Sequence, residues 1–404
     1  MHEYYDIAYK NLFEKQAIKT VVFFDKNLSE KNTIESESSY CKIFFYESKT
    51  DLLEKISLIN KDDIYFINTF DEILIPLVHE IRIYLWIMVS KEYVAFRNKH
   101  IQREILAKYY PETTVKYYEI DIKNQKIENY YNKLDFPYII KPSSWVQSAW
   151  VWIIENKTDL EDYIKNVEVL NKNMAAKWIE NDIFLMEEFV DGEMYTIVYF
   201  VDYDWNISYS PIVKVNSAQK IWINDFFNYL RLSWTIIDHE LQIDDVKMFI
   251  EKHVSAFGMR NTFMFHEFKK NSKWEFKNIE LNARIWWYRL EMMQKIYNYN
   301  LLEMPMQNIM DMSSDYSNAV FVFYPYQRWI LKWFNDELLN EFKNLDSYSS
   351  IRISSWSIWK IVWSTKDWFG SLVALRLKND NITQFKNDYK FVERKYNELI
   401  ILEQ

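Results

Sequence analysis

From Lys19 to Ser90, short apolar runs alternate with segments of helical period: Thr20–Phe24, Lys42–Tyr46, the amphipathic Thr50–Ile59, Ile64–Ile67 and the helix-like Leu74–Leu85. Strands alternating with helices in this way predict a small parallel sheet. Asn98–Lys108 reads as a helix that opens a second domain. Beyond it the pattern is strand, loop, strand, helix: Tyr138–Lys141, the Ser/Trp loop Ser143–Trp150, Val151–Ile154, then a helix in which Thr158 and Glu161 have capping-box spacing. Phe184–Glu188 and Tyr195–Val201 are strands around the turn Asp191-Gly192, and Asp204-Trp205-Asn206 makes a hairpin turn if position 205 is glycine. Asp245–Phe257 is a helix ended by Gly258. Two strands follow, Thr262–Phe268 and Phe276–Asn282, joined by the polar turn Asn271-Ser272-Lys273-Trp274. From about Asn318 the chain offers strand-like Ile351–Ser354, Lys360–Trp363 and Leu372–Leu377, the helix-like Ile382–Glu398 and a terminal strand Leu399–Leu402, a small α+β cap. The expected fold class is α/β with α+β, with no fixed-period repeat.

Composition narrows the picture. At 404 residues, with 49% apolar, the chain has material for two or three domains. Its formal charge is −9 and no long basic run occurs, so nucleic acid is not an expected partner. Met1–Gln16 has no apolar core of a signal peptide, and the most apolar stretch, Ile73–Ser90, is interrupted by His79, Glu80 and Arg82. A cytoplasmic protein with no membrane segment is expected. Cys41 is the single cysteine, which excludes an intramolecular disulfide and a multi-cysteine metal site. The outlying feature is 17 Trp against 3 Gly. Together they make 20 residues, close to an ordinary glycine content. The expectation is that many of these Trp are glycine codons, UGA, translated with the wrong table; the Lys, Asn, Ile and Tyr richness fits an AT-rich gene. Even with glycine restored, no Gly-x-Gly-x-x-Gly follows the first strand, so the first domain is expected to be structural or substrate-facing.

Three constellations carry candidate chemistry. Folding the hairpin Thr262–Phe268/Phe276–Asn282 places Glu267 across from the Glu280/Asn282 end, and side chains of period two put Glu280 and Asn282 on one face. Alone, such acids form a solvated face; converging, they make a hard oxygen site suited to Mg²⁺ bridging phosphates, with Arg284 at its rim. Lys141-Pro-Ser-Ser-Trp145-Val-Gln-Ser148-Ala-Trp150-Val-Trp152 becomes, with glycine at its Trp, a loop of small residues whose amides can cradle phosphates beside Lys141. Met186-Glu187-Glu188-Phe189-Val190-Asp191-Gly192 can pair with the edge of adenine. His266, next to Glu267, faces the other side of its strand and reads as packing.

In this order, the three pieces resemble an ATP-grasp ligase of the biotin-carboxylase and L-amino-acid-ligase branch. Glu280-Leu-Asn-Ala-Arg-Ile-Trp-Trp becomes that family's Glu-x-Asn-x-Arg-x-Gly-Gly if Trp286 and Trp287 are glycine. The resemblance implies a pre-ATP-grasp Rossmann-like domain over 1–95, an ATP-grasp domain of two α+β subdomains over 96–312 and a C-terminal α+β cap over 313–404. It also implies ATP and Mg²⁺, with Mn²⁺ as the alternative metal. By position, Lys141 would bind the α/β phosphates and act in catalysis, with Ser144, Trp145 and Ser148 in the phosphate loop and Lys99 as an earlier phosphate contact. Glu187, Glu188 and the Val190 backbone would hold adenine. The ribose-binding Glu expected two residues after Gly192 is Met194 here, and Glu193 is its substitute. Glu267, Glu280 and Asn282 would ligate the metal, and Arg284 would stabilise an acyl phosphate. The implied activity joins a carboxylate to an amine, with amino acids or small peptides as substrates and a homodimer as one open assembly. The rivals are a biotin-carboxylase-like, bicarbonate-activating enzyme and a non-catalytic binding module with indole stacking platforms.

Overall fold

The computed structural model describes residues 3–26, 38–121, 130, 132–143, 151–173, 183–223, 225, 227–232, 241–297, 299–306, 317–325, 327–354, 357–362 and 370–403. Helix α1 (Glu3–Gln16) opens the chain and buries Ala8, Tyr9 and Leu12. Strands β1 (Thr20–Asp25) and β2 (Cys41–Tyr46) pair in parallel, as their apolar runs predict. Helix α2 (Lys49–Ser57) starts where Ser48 accepts from the Asp51 N–H and buries Leu52 and Ile56. Ile64–Ile67, expected as a further strand, pairs with none among the described residues. Its Ile67 carbonyl is taken instead by the buried Arg82 guanidinium. Arg82 belongs to α3 (Ile75–Tyr84), and α4 (Lys99–Tyr109) follows with Asn98 as N-cap.

Strands β3 (Tyr117–Asp121), β4 (Tyr138–Pro142), β5 (Trp152–Ile154) and β6 (Ile183–Glu188) form an antiparallel sheet in the order β3-β6-β4-β5, covered by α5 (Lys157–Asn173). The helix cap falls two residues before the expected box. Asn156 accepts from the Asp159 N–H at 3.1 Å, and Asp159 accepts from the Glu155 N–H at 2.9 Å, so this pair closes the first turn and Thr158 lies inside it.

A nine-stranded sheet supplies the rest of the framework. It contains β7 (Glu193–Val201), β8 (Ile207–Tyr209), β9 (Val213–Ser217), β10 (Asn228–Leu232), β11 (Thr262–Lys270) and β12 (Phe276–Asn282). Helices α6 (Ile243–Phe257) and α7 (Trp287–Tyr297) flank these strands. Later come β13 (Ser317–Phe323), β14 (Trp329–Phe334), α8 (Asp336–Lys343), β15 (Tyr348–Ile353), β16 (Ile361–Val362), β17 (Val373–Asn379), α9 (Ile382–Arg394) and β18 (Ile400–Glu403). The sheet order is β12-β11-β7-β9-β10-β13-β17-β15 with β8 on β7, so the sheet runs on across residue 312; β16-β14-β18 is a separate small sheet. Alternation along β7 shows why the large sheet is stable. Val198 and Phe200 enter one core, while Tyr195, Ile197, Tyr199 and Val201 enter another on the opposite face. No described helix is long and apolar enough to cross a membrane.

Five Trp stand in left-handed backbone: Trp86, Trp205, Trp222, Trp274 and Trp359 have φ of 60, 66, 64, 68 and 61°. Only Ala17 and Asn261 share this state among the other described non-glycine residues. A side chain with a Cβ costs about 1–2 kcal/mol there, and glycine does not. Trp86 and Trp222 are 91% and 97% exposed, so their indoles recover nothing by packing. We expect Trp86→Gly and Trp222→Gly each to be more stable than the matching alanine variant by about 1 kcal/mol, because alanine keeps the Cβ. Urea unfolding of the four variants measures this.

Candidate nucleotide and metal site

The hairpin of β11 and β12 sets Glu267 directly opposite Glu280 and Phe265 opposite Asn282, with a bulge just after Glu267. The three candidate ligands therefore come together as expected. Burial and the neighbouring Glu280 charge push the Glu267 carboxyl up to about 7, against the pull of Arg289 and Lys99. His266 points to the other side, stacked on Phe249 and deep in the core, where burial keeps its imidazole neutral.

Helix α4 docks on the free edge of β12 through side chains that complete its backbone bonding. Gln102 donates to the Leu281 carbonyl at 2.7 Å and accepts from the Leu281 N–H at 3.1 Å, and Arg103 donates to the Ile279 carbonyl at 2.8 Å. This seats Lys99 2.7 Å from Glu280. Burial works to lower the Lys99 ammonium, but Glu280 and Glu72 outweigh it and its pKa is raised. Burial alone would raise Glu280; Lys99 brings it down.

On the other sheet, Ile139 faces Glu187 across the ladder, so Lys141 shares the Glu187 face. Lys141 Nζ lies 2.7 Å from Glu187, and Arg103 grips the same carboxylate with Nε at 2.9 Å and a terminal nitrogen at 3.2 Å. Burial would raise Glu187, but Arg103 and Lys141 hold it at about 2. Lys141 is itself lowered to about 8, chiefly by burial. The Glu187 carboxylate is thus spent on two cations, and the hinge backbone is what remains for a base. Glu188 accepts from the Lys116 N–H at 3.0 Å, Val190 offers its carbonyl to Lys269 at 2.7 Å, and Glu193 pairs with Lys220 and Lys214. Arg284 is held 2.8 Å from Glu72, a buried carboxyl raised by its burial against the pull of Arg284. Ser144, Trp145 and Ser148 lie outside the described residues, as do Trp150 and Trp234.

Three participants are missing from the sequence reading, Glu72, Lys269 and Arg289, whose guanidinium reaches Thr196 beside Glu267; Arg103 enters it only within the run Asn98-Lys99-x-x-x-Arg103, without a role. Arg103 has a signal, since its spacing from Lys99 puts both on one helical face. Glu72 has none, because only the fold brings it to Arg284.

A family model described as an ATP-grasp domain matches residues 134–286. That stretch of the chain is similar to an ATP-grasp domain. Its matched span holds Lys141, Glu187, Glu267, Glu280, Asn282 and Arg284. Among solved structures, an L-amino acid ligase from Bacillus licheniformis is similar over 98% of this chain and 96% of that one, with TM-score 0.72 and 14% identity. An N5-carboxyaminoimidazole synthetase from Staphylococcus aureus gives 98% and 95%, TM-score 0.59 and 12% identity. A pyruvate carboxylase from Rhizobium etli gives 95% of this chain and 36% of that one, TM-score 0.61 and 12% identity. At such identities the likeness is one of fold, and the mixed α/β architecture is the expected one. No curated protein matches the chain in sequence.

The ATP-grasp fold implies Mg²⁺, and the residues fit it. Two facing carboxyls and an amide oxygen are hard donors, and a divalent cation would relieve the repulsion that raises Glu267.

Glu187 gives a stability prediction with a defined sign. Its folded pKa is depressed from 4.5 to about 2, so its contribution is present above pH 4.5 and lost as pH falls toward about 2. Glu187→Gln leaves Arg103 and Lys141 buried without their charge partner and should cost about 3 kcal/mol at neutral pH. It should also remove the dependence in that acid window. Urea midpoints of both proteins across the window check both effects.

Proposed function

We propose that this protein is an ADP-forming ligase that joins a carboxylate to an amine through an acyl phosphate, with amino acids or small peptides as substrates. The observation that carries this reading is the convergence of Lys99, Lys141 and Arg284 with Glu267, Glu280 and Asn282 in the region that resembles an ATP-grasp domain. The end-to-end likeness in fold to an L-amino acid ligase supports the substrate class.

Bound Mg²⁺, or Mn²⁺, would be held by Glu267, Glu280 and Asn282 and would neutralise phosphate charge. Lys141 and Lys99 add fixed positive charge where the triphosphate lies. The Val190 backbone receives adenine, with Glu187 setting the orientation of Lys141 and Arg103. A substrate carboxylate oxygen attacks the γ-phosphorus and ADP departs. Arg284 holds the resulting acyl phosphate, and the amine nitrogen attacks its carbonyl carbon and expels phosphate. Most of the acceleration in such a reaction comes from positioning and charge stabilisation. The carboxylase in the fold comparison favours a second reading, with bicarbonate as the acid.

The expected outcome is ADP release that requires both a carboxylate and an amine, found by screening amino acids in pairs. Release driven by bicarbonate would favour the second reading, and nucleotide binding without turnover would reject both. Glu280→Gln should lower turnover by about a hundredfold or more, the scale of losing one preorganised charge contact, with its circular dichroism unchanged. A fully active variant rejects the metal assignment.

A further inference from the structure

The backbone around the five left-handed Trp is built for glycine. Trp86 follows α3, and the Ile87 N–H reaches back to the Arg82 carbonyl at 2.8 Å, the closure that glycine makes at a helix end. Trp222 ends the short helical turn Ala218–Ile221 in the same manner. Trp205 sits inside the loop closed by the Asp202 N–H on the Asn206 carbonyl at 3.0 Å, and Trp274 inside that closed by Asn271 on Glu275 at 3.0 Å. Trp359 is the third residue of a turn in which the Lys360 N–H meets the Ser357 carbonyl at 3.1 Å. All five indoles are exposed, although a large aromatic side chain is normally retained for what it buries.

We infer that these five positions are glycine in the protein made by its own host, which reads their codons as Gly rather than Trp. Trp222 and Trp359 come from backbone geometry alone; neither belongs to a motif. The same reassignment at Trp286 would clear an indole that now lies 5.4 Å from the Phe265 ring and 5.7 Å from the Arg231 guanidinium, beside Arg284. Gene sequencing together with peptide mass spectrometry of the protein from its native host tests the inference. UGA codons and peptides lighter by an indolylmethyl group at all five positions are expected. UGG codons, or Trp in those peptides, overturn it.

A different observation carries a second inference, which rests on the proposed ATP-binding reading. The hinge after β6 is docked on the β11–β12 hairpin: a Cβ at Gly192 would lie 2.1 Å from the Lys270 carbonyl, and Asp191 accepts from the Ser272 N–H at 3.3 Å. Lys269 completes the contact, its Nζ on the Val190 carbonyl and 5.1 Å from the Phe189 ring. Lys269 has no carboxylate within ion-pair distance among the described residues, and the Val190 N–H meets no protein acceptor among them. We propose that Lys269 is a base-specificity residue: it occupies the hinge acceptor and leaves the hinge donor open. Adenine N1 accepts a hydrogen bond and fits this edge, whereas guanine N1 carries a hydrogen and finds its acceptor blocked.

Nucleotide titration calorimetry with ATP and GTP, on wild type, Lys269→Met and Lys269→Arg, tests this. Lys269→Met should lower the ATP:GTP preference about tenfold, the scale of one hydrogen bond, and Lys269→Arg should keep it. Circular dichroism identifies a misfolded variant, in which case Lys269→Gln takes the place of Met. An unchanged preference in a wild type that binds ATP overturns the role of Lys269 alone. A wild type that binds neither nucleotide overturns the ATP-binding reading as well.

Discussion

Helix α4 is the part on which the candidate site depends, because its charged face is the bond between two sheets. Lys99 reaches β12 at Glu280 and Arg103 reaches β6 at Glu187, where Lys141 of β4 joins the same carboxylate. Burying such charges gains little net stability, since desolvation offsets the attraction. What they contribute is geometry. A buried carboxylate without its partners is expensive, so the favoured placement of the sheets is the one in which Glu187 and Glu280 meet their cations. That placement also assembles the cations and oxygens proposed above to hold a triphosphate.

The same charges are paired with one another inside the protein. Each cation proposed to meet phosphate or acyl phosphate already has a carboxylate: Lys99 has Glu280, Lys141 has Glu187 and Arg284 has Glu72. A nucleotide with its metal would compete with these carboxylates for the cations, and the metal would take Glu280 in exchange.

Glycine scarcity bears on the same region from the side of the backbone. Where the chain must turn with positive φ it has five indoles, while Gly192, one of its few glycines, stands where a Cβ would collide with the Lys270 carbonyl. Close approach at the hinge and tight turns at the sheet ends impose the same physical demand.

Much of this protein was legible in order and type. Apolar runs gave the strands of the β11–β12 hairpin, Asn98 and Gly258 marked the helix ends found at α4 and α6, and the Glu280-Leu-Asn-Ala-Arg run named the face proposed to hold a metal. These are local signals, carried by residues a few positions apart. Ile64–Ile67 misled because an apolar run has no strand without a partner, and the cap of α5 misled because Asn156, two residues before Thr158, caps the helix on the Asp159 amide. What sequence could not decide was pairing between distant charges. Arg103 and Glu187 are 84 residues apart and Arg284 and Glu72 are 212 apart, so only the packed sheets select those partners. Nearest-neighbour chemistry is written in the chain; which buried charge cancels which is decided by the fold, because desolvation makes that choice a property of the whole interior.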